Sequence, residues 1–248
     1  MRDFSDLTFE DFRELALDTA LSDHEKVGFP NEYRDGKIAD IFKDVVSKAP
    51  FIAAEQHKKI LEIGPGCGPL PRMLIELSLK NGHKLHLVDS REMLNQLGPH
   101  ESVVSYFGKF PDAMGDELQA QATSFDFIVA YSVLQYMVND GDLWRAFDAI
   151  LGLLAPGGVA LLADLPNVSM RRRFLESSEG VAFRDRMEQQ TWNSKPDPSP
   201  DENKINDALV IEMLHRGRQC GFHCWVVPQA DRLPMQNRRE DLLIKRPK

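Results

Sequence analysis

Apolar and polar positions alternate between two rhythms from residue 59 onward. Short apolar runs occur at KILEIG (59–64), KLHLVD (84–89), SVVSYF (102–107), FDFIVAYS (125–132) and GVALLAD (158–164), and runs of this length predict strands. Between them apolar residues recur at helical spacing: Leu70, Met73, Leu74 and Leu77 mark one helix, Met93 and Leu97 a shorter one, and Leu143, Phe147, Ile150, Leu151 and Leu154 a third that stops at Pro156-Gly157-Gly158. Strands separated by helices of this length imply right-handed crossovers, so a mainly parallel, doubly wound α/β sheet is expected.

The flanks read differently. In residues 1–58, Thr8 and Asp11 approximate a capping box before Phe12, Leu15 and Ala16, and Ile38, Ile41, Phe42, Val45 and Val46 predict a second helix. The stretch HEKVGFPNEYRDG (24–36) between them is charged and rich in turn formers, and reads as a loop that closes over something. After Asp164 the alternation pauses, then resumes with a helix at Ile205, Leu209 and Met213 and two strands, FHCWVVPQ (222–229) and REDLLIK (239–245). Their short connection favours an antiparallel pair at the end of the sheet, which makes seven strands in all. The intervening 165–204 is too long for a mere connection and is expected to cap the ligand site. The division is thus an N-terminal helical lid (1–58), an α/β domain (59–164 with 205–248) and a cap insertion (165–204).

The chemistry-bearing signal is Glu62-Ile63-Gly64-Pro65-Gly66-Cys67-Gly68, lying between the first strand and a helix. Glycines there permit a tight turn and let a ligand approach the backbone at the carboxyl edge of the sheet. The second strand ends in Asp89, where a carboxylate can accept both hydroxyls of a ribose. A dinucleotide fingerprint needs Gly-x-Gly-x-x-Gly, and Pro69 stands where its third glycine would be. That counts against a nicotinamide oxidoreductase.

An acidic residue followed by Gly-x-Gly-x-Gly, with an acid ending the next strand, resembles the class I S-adenosylmethionine-dependent methyltransferases. The run Asp89-Ser90-Arg91-Glu92-Met93-Leu94, the loop Gly108-Lys109-Phe110, FDFIVAYSVLQYM (125–137) and LLAPGGVALLAD (153–164) resemble further motifs of that family, over roughly residues 59–164 and the two terminal strands. The resemblance implies S-adenosyl-L-methionine as cofactor. It implies contacts to it from Glu62, Gly64, Pro65, Gly66, Gly68, Asp89, Ser90, Lys109, Phe110 and Tyr131. The tracts 24–37, 164–174 and 228–244 are also similar to a group of methyltransferases associated with bacterial cell-surface sugar assembly, which implies a sugar or nucleotide-sugar acceptor.

Charge refines the picture. Of the 38 acidic and 30 basic residues, residues 1–164 hold 26 and 15 (net -11) and residues 165–248 hold 12 and 15 (net +3), which sum to the formal charge of -8. The C-terminal third is therefore the expected place for an anionic group, with Asn167, Arg172, Arg173, Arg238 and Arg239 as candidate acceptor ligands beside Tyr33, Arg34 and Gln135. A hydroxyl acceptor needs a base, and Asp164 is the first candidate by position, with Tyr136 and His24 behind it.

The acidic balance argues against a nucleic-acid partner, and no stretch is apolar enough for a membrane helix. The acidic N-terminus lacks the pattern of a secretion signal, so a cytoplasmic location is expected. Cys67, Cys220 and Cys224 cannot build a disulfide framework. Cys220 and Cys224, with His215 and His223, straddle a helix-to-strand junction, so no metal site is expected. Cys67, beside a helix start, reads either as a small residue or as a stabilised thiolate. Phe110 reads equally as core or as an adenine wall. A non-catalytic module that binds S-adenosylmethionine is the competing function.

Overall fold

A computed structural model describes residues 7–29, 31–189 and 204–248. Five helices come first: α1 (Phe9–Leu17), α2 (Asp23–Lys26), α3 (Asn31–Arg34), α4 (Ile38–Lys48) and α5 (Phe51–Ala54). The capping box at α1 is present, with Thr8 and Asp11 satisfying each other's backbone N–H. The 24–36 stretch, expected as a loop, is wound into the single turns α2 and α3. A second capping box, Ser22 with Glu25, starts α2 and explains why the turn forms.

The α/β part follows as β1 (Lys59–Ile63), α6 (Pro69–Asn81), β2 (Lys84–Asp89), α7 (Arg91–Leu94), β3 (Val103–Phe107), α8 (Glu117–Ala120), β4 (Phe125–Tyr131), α9 (Leu134–Asn139), α10 (Leu143–Leu153) and β5 (Leu154–Pro166). Then come α11 (Val168–Glu176), α12 (Ser178–Gln189), α13 (Asp207–Gln219), β6 (His223–Pro228) and β7 (Arg239–Lys245). The seven strands are ordered β3-β2-β1-β4-β5-β7-β6. The first five are parallel, as their patterning predicts, and β7 lies antiparallel to both β5 and β6. Order reverses between β1 and β4, which is where open α/β sheets bind their ligands.

Strand alternation sends neighbouring residues to two separate cores. Leu61, Ile63, Phe125 and Ile128 join Phe147 and Ile150 of α10 and Met213 of α13 on one face. Ile60, Leu87, Phe127 and Val129 join Val45 of α4 and Leu74 of α6 on the other. Phe127 is fully buried, and truncating such a ring to alanine costs about 3–5 kcal/mol.

Helix α10 ends sooner than its apolar spacing suggests, at Leu153, because Leu154 already pairs with Phe125 of β4. The long β5 breaks register with β7 between Leu162 and Leu165. Asp164 sits in that break with φ of +61°.

Candidate active site

A cleft enclosing about 1060 Å³, open to solvent, lies over the carboxyl ends of β1, β2 and β4. Its floor is the loop after β1. Gly64 and Gly66 take φ of +63° and +66°, a left-handed backbone that favours glycine. A Cβ on Gly64 would come within 2.7 Å of Val133, and one on Gly66 within 2.4 Å of Val27. Pro69 is the first residue of α6, capped by Gly68, where the missing proline N–H costs nothing.

Asp89 closes the loop from the side. Its carboxylate accepts the Gly66 N–H at 2.8 Å and the Ser90 N–H at 2.6 Å. Burial pushes its pKa up to about 6, against the pull of those two hydrogen bonds. With only backbone donors as partners, the carboxylate retains lone pairs toward the cleft for a ribose diol. Together with Gly64, Pro65, Gly66, Gly68, Lys109 and Phe110, it lines the cleft. A nucleoside cofactor therefore fits the residues present.

Several expected cofactor contacts have other duties. Ser90 caps α7 by accepting the Met93 N–H and does not line the cleft. Glu62 is buried beneath the loop with Oε2 unpartnered, and burial, then the nearby Asp89 charge, push it up to about 8. Phe110 fills both roles weighed for it, being part of the core and of the cleft wall. Lys109 is held by Asp140 and Asp142 at 2.8 and 2.7 Å. Burial pushes the Cys67 thiol up to about 11, which removes the thiolate reading.

The roof comes from the N-terminal helices. Phe12 and Val27 lie against the loop, and His24, Phe29, Arg34, Tyr131 and Tyr136 also line the cleft. Arg13 ties α1 to α7 through Glu92 at 2.8 Å, and Phe12 meets Tyr136 edge-on at 4.8 Å between ring centres. Burial pushes the hydroxyl pKa values of both Tyr131 and Tyr136 up. His24 Nε2 lies 3.3 Å from Asp35 Oδ1. The Tyr33 side chain lies outside the described residues.

Beyond Arg34 a much smaller cavity of about 10 Å³, room for about one water, adjoins the cleft and shares Phe29, Arg34 and Tyr131 with it. Asp164 borders this second cavity, and the structure gives it a different task from the proton acceptor expected of it. Its Oδ2 accepts from Arg239 Nη1 at 2.7 Å, from Arg34 Nη2 at 3.2 Å and from the Ser132 hydroxyl, and its Oδ1 accepts from Gln229 at 3.1 Å. Both of its oxygens are thus taken up by donors from the protein itself. Behind it, Asp241 accepts the same Gln229 amide and pairs with Lys48 at 2.5 Å, and Lys48 also pairs with Asp44 at 2.6 Å. Sequence reasoning singled out none of Ser132, Gln229, Asp241, Lys48 and Asp44. The one local signal was polar and charged residues interrupting apolar runs at strand ends.

Part of the expected cap, 190–203, lies outside the described residues. Among the described residues, none from 165–189 or at 204 lines the cleft. Asn167 caps α11 and donates to Asp207 and Glu240. Arg173 pairs with Asp207 at 2.5 Å, Arg172 is exposed on α11, and Arg238 stacks on Phe174 and Phe183. Arg173 and Arg238 are thus engaged by a carboxylate and by rings away from the cleft. Gln135 likewise turns away, donating to the Ser132 carbonyl at 2.7 Å. Cys224 is buried and Cys220 exposed.

Residues 31–205 match the family described as "Methyltransferase domain". The chain belongs to this methyltransferase family. The protein is an S-adenosylmethionine-dependent enzyme. No curated protein matches the chain. Among solved structures, it is similar to the N-methyltransferase NodS from Bradyrhizobium japonicum WM9 in complex with S-adenosylhomocysteine, at 14% identity, TM-score 0.58 and 100% coverage of each chain. It is also similar to the plantazolicin methyltransferase BpumL, at 12% identity, TM-score 0.59 and coverage of 97% of this chain and 96% of that one. Phosphoethanolamine N-methyltransferase 2 of Haemonchus contortus aligns at 15% identity and TM-score 0.56, covering 98% of this chain and 61% of that one. These likenesses establish a shared fold. No helix among the described residues is long and apolar enough to cross a membrane.

Proposed function

We propose that this methyltransferase acts on a small hydroxylated acceptor held between the glycine loop and the α2–α3 roof. The observation that carries the reading is that the cleft over the glycine loop is also lined by His24, Phe29, Arg34, Tyr131 and Tyr136, more side chains than a cofactor alone requires. A module that only sensed the cofactor would not need it.

When bound, S-adenosylmethionine supplies a methyl group already activated on a sulfonium, so the chain must align the acceptor, exclude water and take up a proton. Phe12 and Val27 keep water from the loop, and Tyr131 and Tyr136 wall the acceptor. With the cofactor bound, its sulfonium would supply the methyl group to the acceptor hydroxyl, and His24 would take up the proton that the hydroxyl gives up. Imidazole is the commonest protein base, and the other candidates are compromised. Asp164 is locked between arginines, and burial makes the two tyrosines harder to ionise.

An anionic acceptor was expected from the arginines of the C-terminal third. Those at 172, 173 and 238 stand away from the cleft, which leaves Arg34 and Lys109 as cations in its lining, each paired with carboxylates. A sugar-derived acceptor suits this setting through its hydroxyl groups. The two phosphate charges of a nucleotide sugar do not. The relatives in this fold bear names with different acceptors, so the fold itself does not choose between them.

The test is incubation with methyl-labelled S-adenosylmethionine and panels of sugars, phenols and amines, read by mass spectrometry for S-adenosylhomocysteine and labelled product. Label in a hydroxylated acceptor supports the reading. Cofactor binding without turnover across all panels would favour the sensor module.

A further inference from the structure

We propose that Phe29 is a positioning residue for His24: its ring docks on the Arg34 and Arg239 guanidiniums while its backbone N–H holds the His24 carbonyl, so the two arginines set where His24 stands in the cleft. This rests on the reading of His24 as the proton acceptor.

The first observation is how little α2 can do for itself. It is a single turn, Asp23–Lys26, and a turn of that length does not hold together alone in water. At its start the Ser22–Glu25 capping box fixes the chain, and the Ser22 hydroxyl also donates to the Asn31 side chain at 2.7 Å. At its end the His24 carbonyl accepts the N–H groups of Val27 at 3.2 Å and Phe29 at 3.0 Å. Phe29 is thus the far anchor of the turn that carries His24.

The second observation is what meets the Phe29 ring. The side chain is buried, yet it belongs to none of the apolar clusters formed by the described residues. The centre of its ring lies 3.9 Å from the guanidinium carbon of Arg34 and 5.7 Å from that of Arg239. A cation over an aromatic face is attracted by the negative charge of that face, and more strongly away from water. Both arginine side chains are largely buried.

The third observation is why two cations stand so close together. Arg34 Nη2 and Arg239 Nη1 both donate to one oxygen, Oδ2 of Asp164. Asp164 is itself fixed, since its N–H donates to Asp241 at 2.8 Å and its Oδ1 accepts from Gln229 at 3.1 Å. Arg34 comes from α3, but Asp164 and Arg239 come from β5 and β7, so a ring of the N-terminal segment is docked on the sheet. Leucine in place of Phe29 would fill similar space without a negative face, and lysine in place of Arg34 would keep the charge without the flat surface that stacks.

The experiment treats the full-length protein with diethyl pyrocarbonate, which acylates accessible imidazoles, and follows each histidine by peptide mass spectrometry. The His24 side chain is 12% exposed, His83 is fully buried and His223 is exposed, so one sample holds the test residue and both references. In the wild type His24 should react about tenfold more slowly than His223. Phe29→Leu should speed the reaction of His24 by about tenfold, and Arg34→Lys should do the same. Phe29→Tyr, which keeps the ring face, should restore the wild-type rate. An unreactive His83 shows that a variant is folded, and where Phe29→Leu loses that protection, Arg34→Lys decides. An unchanged His24 rate in folded Phe29→Leu, or an equal rise in Phe29→Tyr, would overturn the positioning role, as would wild-type His24 reacting as fast as His223. The readout involves no acceptor, so it is separate from the base assignment, which falls if His24→Asn turns over normally.

Discussion

Ser132 and Asp164 stand next to each other at the ends of β4 and β5, both with left-handed backbone at φ of +59° and +61°, and the Ser132 hydroxyl donates to the Asp164 carboxylate. Left-handed conformations at non-glycine residues cost about 1–3 kcal/mol each and persist where the surroundings over-determine them. Here the surroundings are Arg34 and Arg239, which pull the carboxylate into line.

Replacing Asp164 by asparagine therefore acts on structure before chemistry. Removing one partner of a buried ion pair costs about 3–5 kcal/mol, and urea unfolding of Asp164→Asn should show a loss of that order. The pH–rate profile of the surviving activity should keep its shape. Loss of its acid limb in a folded Asp164→Asn protein would restore Asp164 as the base.

His24 carries the opposite expectation. His24→Asn should lower kcat by about 10² to 10⁴ with cofactor affinity almost unchanged, the span usual for loss of general-base catalysis. Steady-state kinetics with a turning-over acceptor, beside calorimetry with S-adenosylhomocysteine, checks it.

Cofactor binding should depend on pH through Asp89. Its pKa is raised to about 6 in the free protein, so the carboxylate that accepts ribose hydroxyls is complete above that pH and lost below it. Calorimetry should find S-adenosylhomocysteine bound about tenfold more weakly one pH unit below 6 than at neutral pH. Asp89→Ala should weaken binding by tenfold or more at pH 7.5, from loss of charge-assisted hydrogen bonds worth about 1.5–3 kcal/mol.

Glu62 should make the folded protein less stable as pH rises. Its pKa is raised from 4.5 to about 8, so the folded state binds the extra proton. Below pH 4.5 both states are protonated and nothing is lost. From there to about pH 8, stability attributable to Glu62 falls by about 1.4 kcal/mol per unit. Glu62→Gln removes this slope, and denaturation midpoints compared at pH 5 and 8 should converge relative to wild type.

The strands and the cofactor loop were legible in the sequence because their determinants are local. Lys84–Asp89 and Arg239–Lys245 announce themselves by apolar content, and the Gly64–Gly68 turn by residue type. The contacts around Asp164 were not legible, because they join residues far apart in the chain. Arg34 meets Asp164 across 130 positions and Lys48 meets Asp241 across 193, and no spacing rule encodes such pairs. The same blindness turned the arginines at 172, 173 and 238 into an anticipated anion site, although Asp207, Phe174 and Phe183 occupy two of them.

Val27 and Arg34 stand seven positions apart in the chain. The first lies against the cofactor loop at Gly66, and the second pairs with Asp164 at 3.2 Å. One short run of chain therefore bears on both the glycine loop and the Asp164 cluster, so a change in its path would move both contacts together.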